Sequence, residues 1–127
     1  MPTKLRYIRV EDHLENSATV VVRGGLLDSK VIRSDALRMH RIYGVYGVSV
    51  FAVRDVSLDE LAQQPPLVRF PVLTLVTVGA VRSAGLWIDP TGRNRLHYTV
   101  SFANLDEGVS RLCAAEHEIW KNPYHEQ

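Results

Sequence analysis

The sequence predicts an α+β fold: a mostly antiparallel sheet of about five strands with three to four helices on one side, in one compact domain spanning 1–127. Three observations predict it. Short β-branched apolar runs stand at 18–25, 48–53 and 72–78. Stretches of roughly helical spacing stand between and after them, at 29–43 and 105–120. The two kinds alternate in mixed order, with no internal repeat, low-complexity tract or long linker.

KLRYIRV (4–10) alternates apolar and basic residues imperfectly and reads as an edge strand. ATVVVRGG (18–25) is a strand that ends in a glycine turn. From Asp28 or Ser29 to Tyr43, Val31, Ile32, Ala36, Leu37, Met39 and Ile42 recur at helical intervals. Asp28, Ser29 or Ser34 can cap that helix and Gly44 can stop it. VSVFAV (48–53) is a buried strand. SLDE (57–60) has the form of a capping box opening a short helix that ends at Pro65-Pro66. VLTLVTV (72–78) is the clearest strand, and GAVRSAGL (79–86) a short helix closed by Gly85. LWI (86–88) and RLHYTVSF (95–102) form a hairpin through the DPTGRN turn. LDEGVSRLCAAEHEIW (105–120) is expected to be a continuous helix with Leu105, Val109, Leu112, Cys113 and Ile119 inward.

With 46% hydrophobic and 23% charged residues, the composition is that of an ordinary globular chain. A single cysteine, Cys113, allows no intrachain disulfide, so the expected compartment is the reducing cytoplasm. No apolar run is long enough to span a bilayer, and MPTKLRYIRVED lacks the apolar core of a secretory signal. Net charge is +1, from 15 Lys+Arg against 14 Asp+Glu, which argues against a dedicated duplex-DNA binder. Nearly all the positive charge is arginine, whose planar fork suits phosphate and carboxylate.

Candidate site residues follow from that chemistry. Arg23 precedes Gly24-Gly25, where a ligand could approach a backbone with free amides. HRIYGVYG (40–47) brings His40, Arg41, Tyr43 and Tyr46 together beside glycines, with Tyr46 expected in a loop. His, Arg and Tyr are the groups of metal-free phosphodiester cleavage: a base, an acid and a cation to steady the phosphate. The tyrosines can equally stack on bases or simply pack. Ser49, in a strand, and His97, which shares a strand face with Thr99, are further substrate-binding candidates. Glu116-His117-Glu118 lacks the spacing of a helical zinc site, so no metal and no cofactor is expected.

The pattern RGG, HRxYGxYGxSVFA, HYT and a closing NPY (122–124) resembles small bacterial toxin-type proteins of toxin–antitoxin pairs. The resemblance implies an RNA-cleaving enzyme working without metal, inhibited by an antitoxin-type protein partner. A second toxin chemistry, NAD-dependent ADP-ribosyl transfer, would map onto Arg23, Ser49 and Glu116 or Glu118. Composition and near-zero charge equally suit a non-catalytic interaction or regulatory module. The strands leave sheet edges open, so a homodimer or a partner docked over an edge or over Arg23 is expected.

Overall fold

The computed structural model describes residues 6–125. Six strands, β1 (Thr19–Gly24), β2 (Tyr46–Ala52), β3 (Val72–Thr77), β4 (Trp87–Pro90), β5 (His97–Phe102) and β6 (Glu118–Lys121), form one antiparallel sheet. Their order is β4-β5-β2-β1-β3-β6, which puts β1 and β2 at the centre. Among the described residues four helices accompany them: α1 (Ser29–Tyr43), α2 (Leu58–Ala62), α3 (Val78–Ser83) and α4 (Leu105–Ala114). Among the described residues, no helix is long and apolar enough to cross a membrane.

Burial explains the layers. In β1, Val20, Val21 and Val22 are all buried, because successive side chains point to opposite faces and both faces are covered. Val20 and Val22 pack with Ile32 and Ala36 of α1, Val81 of α3, and Val109 and Leu112 of α4. Val21 joins Leu73 and Leu75 of β3 on the other face, under Leu61 of α2 and Leu67 of the 3-10 turn Leu67–Arg69. The expectation of helices on one side is therefore met by three of the four.

Local chemistry sets the helix ends. The Asp28 side chain accepts from the Lys30 and Val31 amides, and Gly44, at φ 78°, closes α1 by donating to the His40 carbonyl. Ser57 accepts from the Glu60 amide at 3.1 Å and opens α2. Within α1 only Ile32 and Ala36 are fully buried, while the expected inward residues Leu37 and Ile42 are 40% and 38% exposed.

Three expectations are corrected. The helix over 105–120 ends at Ala114; Ala115 is extended, and 118–121 becomes β6. There Ile119 pairs with Thr74 and is 45% exposed instead of inward. β3 offered an unpaired edge, and hydrogen bonding along it outweighs the propensity to continue the helix. The expected strand over 4–10 is absent from its described part, 6–10, which contributes one bridge, Ile8 to Thr91, while positions 4 and 5 lie outside the described residues. Tyr46 lies in β2 and not in a loop.

That non-strand segment is held by side chains instead. The Arg9 guanidinium donates to the carbonyls of Thr91, Gly92, Asn94, Arg95 and His97, which close around it from the β4–β5 loop. Asp12, at φ 77°, gathers Arg9, Arg54 and Arg95 around one carboxylate, and the Tyr98 hydroxyl donates to its backbone carbonyl. The Arg95 hydrogen bond, more than any other influence, pulls the Asp12 carboxyl below its ordinary 3.8.

Two outcomes follow. A group whose folded pKa is depressed contributes stability above its unfolded value and loses it as pH falls through the folded one. Chemical denaturation from pH 6 downward should therefore show stability dropping below about pH 4, with that part of the slope absent in Asp12→Asn. Gly108→Ala should lose about 1–3 kcal/mol despite alanine's better helix propensity, because its Cβ would lie 2.2–2.4 Å from Phe102 atoms. Urea melts at fixed pH check the second outcome.

Candidate functional site

The central pair of strands does not stay together. β1 and β2 pair at Val20↔Ala52 and Val21↔Phe51, and their ladder stops there. A bulge between Val21 and Arg23 swings the end of β1 toward β3, where Arg23 meets Thr74 and Gly24 meets Leu73. β2 meanwhile continues along β5 from Phe51↔His97 to Tyr46↔Phe102. The two strands splay, and a cleft of about 340 Å³ opens between them. Arg23 and Ser49 line it with Asp35 of α1, and Phe51, Leu67 and Phe70 give it apolar walls.

A second depression of about 250 Å³ continues from this cleft between α1 and β2, sharing Asp35, Val48 and Ser49 with it. Its remaining lining is Arg38, Met39, Ile42, Tyr43 and Gly47. The two form one channel, with Arg23 toward one end and Tyr43 toward the other. Asp35 is engaged by Arg38 one helical turn later. Arg23 makes no ion pair among the described residues; its Nε donates to the Gly24 carbonyl at 3.0 Å. Its other guanidinium nitrogens have no hydrogen-bond partner among the described residues.

The structure brings Arg23, Gly24 and Ser49 to one cleft and Tyr43 to the depression that adjoins it. It sets His40 and Tyr46 apart as a stacked pair, ring centroids 4.2 Å apart and planes 15° from parallel, outside the channel lining. At about 100° per residue, His40 sits roughly 140° around α1 from Asp35 and Arg41 roughly 240°, so neither shares the channel-facing stripe. His97 is occupied elsewhere: its Nδ1 lies 3.0 Å from both the Thr91 hydroxyl and the Thr91 carbonyl. Thr91 in turn bonds Thr99 at 2.7 Å, so the HYT strand is a polar brace of the hairpin.

The glycine pair serves packing. The Gly25 amide donates to the Val72 carbonyl at 2.7 Å, so the expected free amide is taken. A Cβ on Gly24 would fall 2.1 Å from the Phe70 ring, and that ring, not a ligand, occupies the space glycine leaves. Gly47 is likewise demanded by neighbours, with the Val100 carbonyl 2.7 Å from where its Cβ would stand.

Other candidates disperse. Glu116 and Glu118 line a separate cavity of about 240 Å³ with Thr19 and Thr77, at the far end of β1 from Arg23. They share no cavity with Arg23 and Ser49. Among the described residues no three His, Cys, Asp or Glu side chains are grouped to hold a metal ion. Burial raises the Cys113 thiol above its usual 9.0, which makes it a poor nucleophile. Asn122, of the NPY stretch, is buried and donates to the carbonyls of Ala62, Leu67 and Phe70, while the Tyr124 hydroxyl donates to Asp59. Those residues fasten α2 and the 3-10 turn to the end of β6.

Sequence reasoning missed Asp35, Met39 and Phe70 as channel residues. The helical stripe Val31, Asp35, Met39, Ile42 carried a signal for the first two, since it places a charge among apolar residues. Nothing local pointed to Phe70. Comparison with protein-family models, curated proteins and solved structures finds no match for this chain, so its own geometry alone bears on function.

Proposed function

We propose that the protein is a non-catalytic interaction module that takes an anionic ligand at Arg23. The observation that carries this reading is the cleft itself: an arginine without an acidic partner, a serine and aromatic walls, opened by the parting of β1 and β2. A cavity of this size suits a small ligand or a few residues of a larger one. Arginine's fork recognises carboxylate or phosphate in two parallel bonds, and the low-dielectric walls strengthen them. No free acid–base pair stands beside Arg23, since Asp35 is held by Arg38 and His40 lies outside the lining. That is why binding is the better reading than catalysis.

Acetate and inorganic phosphate, titrated separately against labelled protein, test it by nuclear magnetic resonance. The Arg23 Nε and the Gly24 and Ser49 amides should shift saturably, and Arg23→Gln should abolish the shifts. Absence of saturable shifts in the parent, or their survival in the variant, would reject the cleft as an anion site.

The RNA-cleaving, toxin-type reading keeps one observation in its favour, the exposed His40 ring stacked on the half-buried Tyr46. Such a pair offers a platform for a base of single-stranded RNA. On this reading the purified protein cleaves single-stranded RNA in EDTA, and His40→Ala lowers the rate about a hundredfold or more. An antitoxin-type partner would then act by covering the platform. RNA left intact, or cut equally by His40→Ala, removes this reading.

A further inference from the structure

We infer that the channel takes the C-terminal residues of a partner polypeptide, laid beside β2 as an added strand with the terminal carboxylate against Arg23. The inference rests on the Arg23 cleft being an anion site and names what brings the anion.

The first support is the unfinished ladder. From Tyr46 to Val50, β2 has ladder partners only on the β5 side. At about 3.3 Å per residue this stretch is roughly 17 Å long, enough for about five residues of an extended chain. The direction of its backbone groups follows from its two ends. The Ala52 amide donates to Leu96, on the β5 side, and the Val53 amide to Thr19, on the β1 side. Alternation then turns the Ser49 and Gly47 amides and carbonyls away from β5, toward the channel. Strand addition uses such groups, and side-chain pockets on either hand provide selectivity.

The second support is the shape of the channel. It runs from Tyr43 and Gly47 toward Ser49, and it is closed where β1 and β2 come together at Val21↔Phe51. A chain entering from the Tyr43 end meets that closure after a few residues. An internal segment would have to turn out sharply there, whereas a chain terminus simply stops. Arg23 lines the closed part, so a terminal carboxylate finds a cation where the chain ends. Met39, Ile42 and Phe70 leave apolar walls for the preceding side chains. A ligand in this direction runs parallel to β2.

The experiment presents random decapeptides with free C-termini, anchored through their N-termini, to the full chain. Selected sequences are then compared in solution, by fluorescence anisotropy, with their C-terminally amidated forms. Amidation should weaken binding at least tenfold, and so should Arg23→Gln. Ser49→Pro removes an amide that plays no part in the β5 ladder, so it should leave the thermal melt near the parent while weakening binding at least tenfold. If Ser49→Pro does not fold, peptides N-methylated at alternate residues make the same comparison from the ligand side, with one methylation phase losing binding and the other keeping it. Failure to select any peptide, equal binding of free and amidated forms, selection of internal acidic residues or undiminished binding by Ser49→Pro each overturn the inference. Saturable acetate shifts at Arg23 with no peptide selected would reject strand addition while leaving the anion site standing.

Discussion

The architecture depends on the burial of β1 on both faces. Three consecutive valines, Val20 to Val22, cannot face water on either side, so the strand must be central and must carry a layer on each face. α1, α3 and α4 close one face, and α2 with the 3-10 turn closes the other. The same requirement fixes where the sheet can fail. Once the valines end, at Arg23, burial on both faces is no longer needed, and the strand bulges toward β3 and away from β2. The cleft begins where the apolar run stops.

A domain of this size closes its remaining surface with polar fasteners. Arg9 binds five carbonyls of one loop, a use of the guanidinium fork that lysine could not reproduce. The Asn94 and His97 carbonyls also accept backbone amides, so the guanidinium adds to the turn's own hydrogen bonds and supplies a donor to the Thr91, Gly92 and Arg95 carbonyls. Asn122 does the same at the opposite end of the sheet, joining Ala62, Leu67 and Phe70 through one amide group. By orienting Phe70 against Gly24, that fastener also helps to shape one wall of the cleft.

What could be read from the sequence divides along physical lines. α1 was legible from Asp28 to Gly44, because caps and apolar spacing are local signals that tertiary structure had no reason to overrule. β1 and β3 were legible as well, since unbroken β-branched runs suit a doubly buried strand. β6 was not, because EIWK continues a helical pattern and becomes a strand only through the open edge of β3. Among the candidate site residues, Arg23, Ser49 and Tyr43 do share a channel, and their chemistry had singled them out. His97 and Asn122 stand in motifs that looked functional, yet His97 Nδ1 and the Asn122 amide are spent on holding loops. The cleft itself was illegible, since a bulge and the splaying of two strands leave no mark in composition or period.

The glycines of HRIYGVYG and RGG invite a reading as ligand-approach sites, and sterics argue otherwise. Gly24 accommodates the Phe70 ring, Gly47 accommodates the Val100 carbonyl and Met39, and Gly44 supplies a left-handed helix end. Each is required by the fold whether or not a ligand exists, so none is evidence for one. Arg23 is different. Its stem is half-buried, and its guanidinium and the Phe70 ring both lie 3.8 Å from the position a Gly25 Cβ would take. Packing alone would be served as well by an uncharged side chain of similar length. Taking a cation partly out of water without an opposing charge is a standing cost that an anion would remove. Among the charged residues along this channel, Asp35 and Arg38 pair with each other, and Arg23 is the one whose charge the fold leaves without an ion-pair partner.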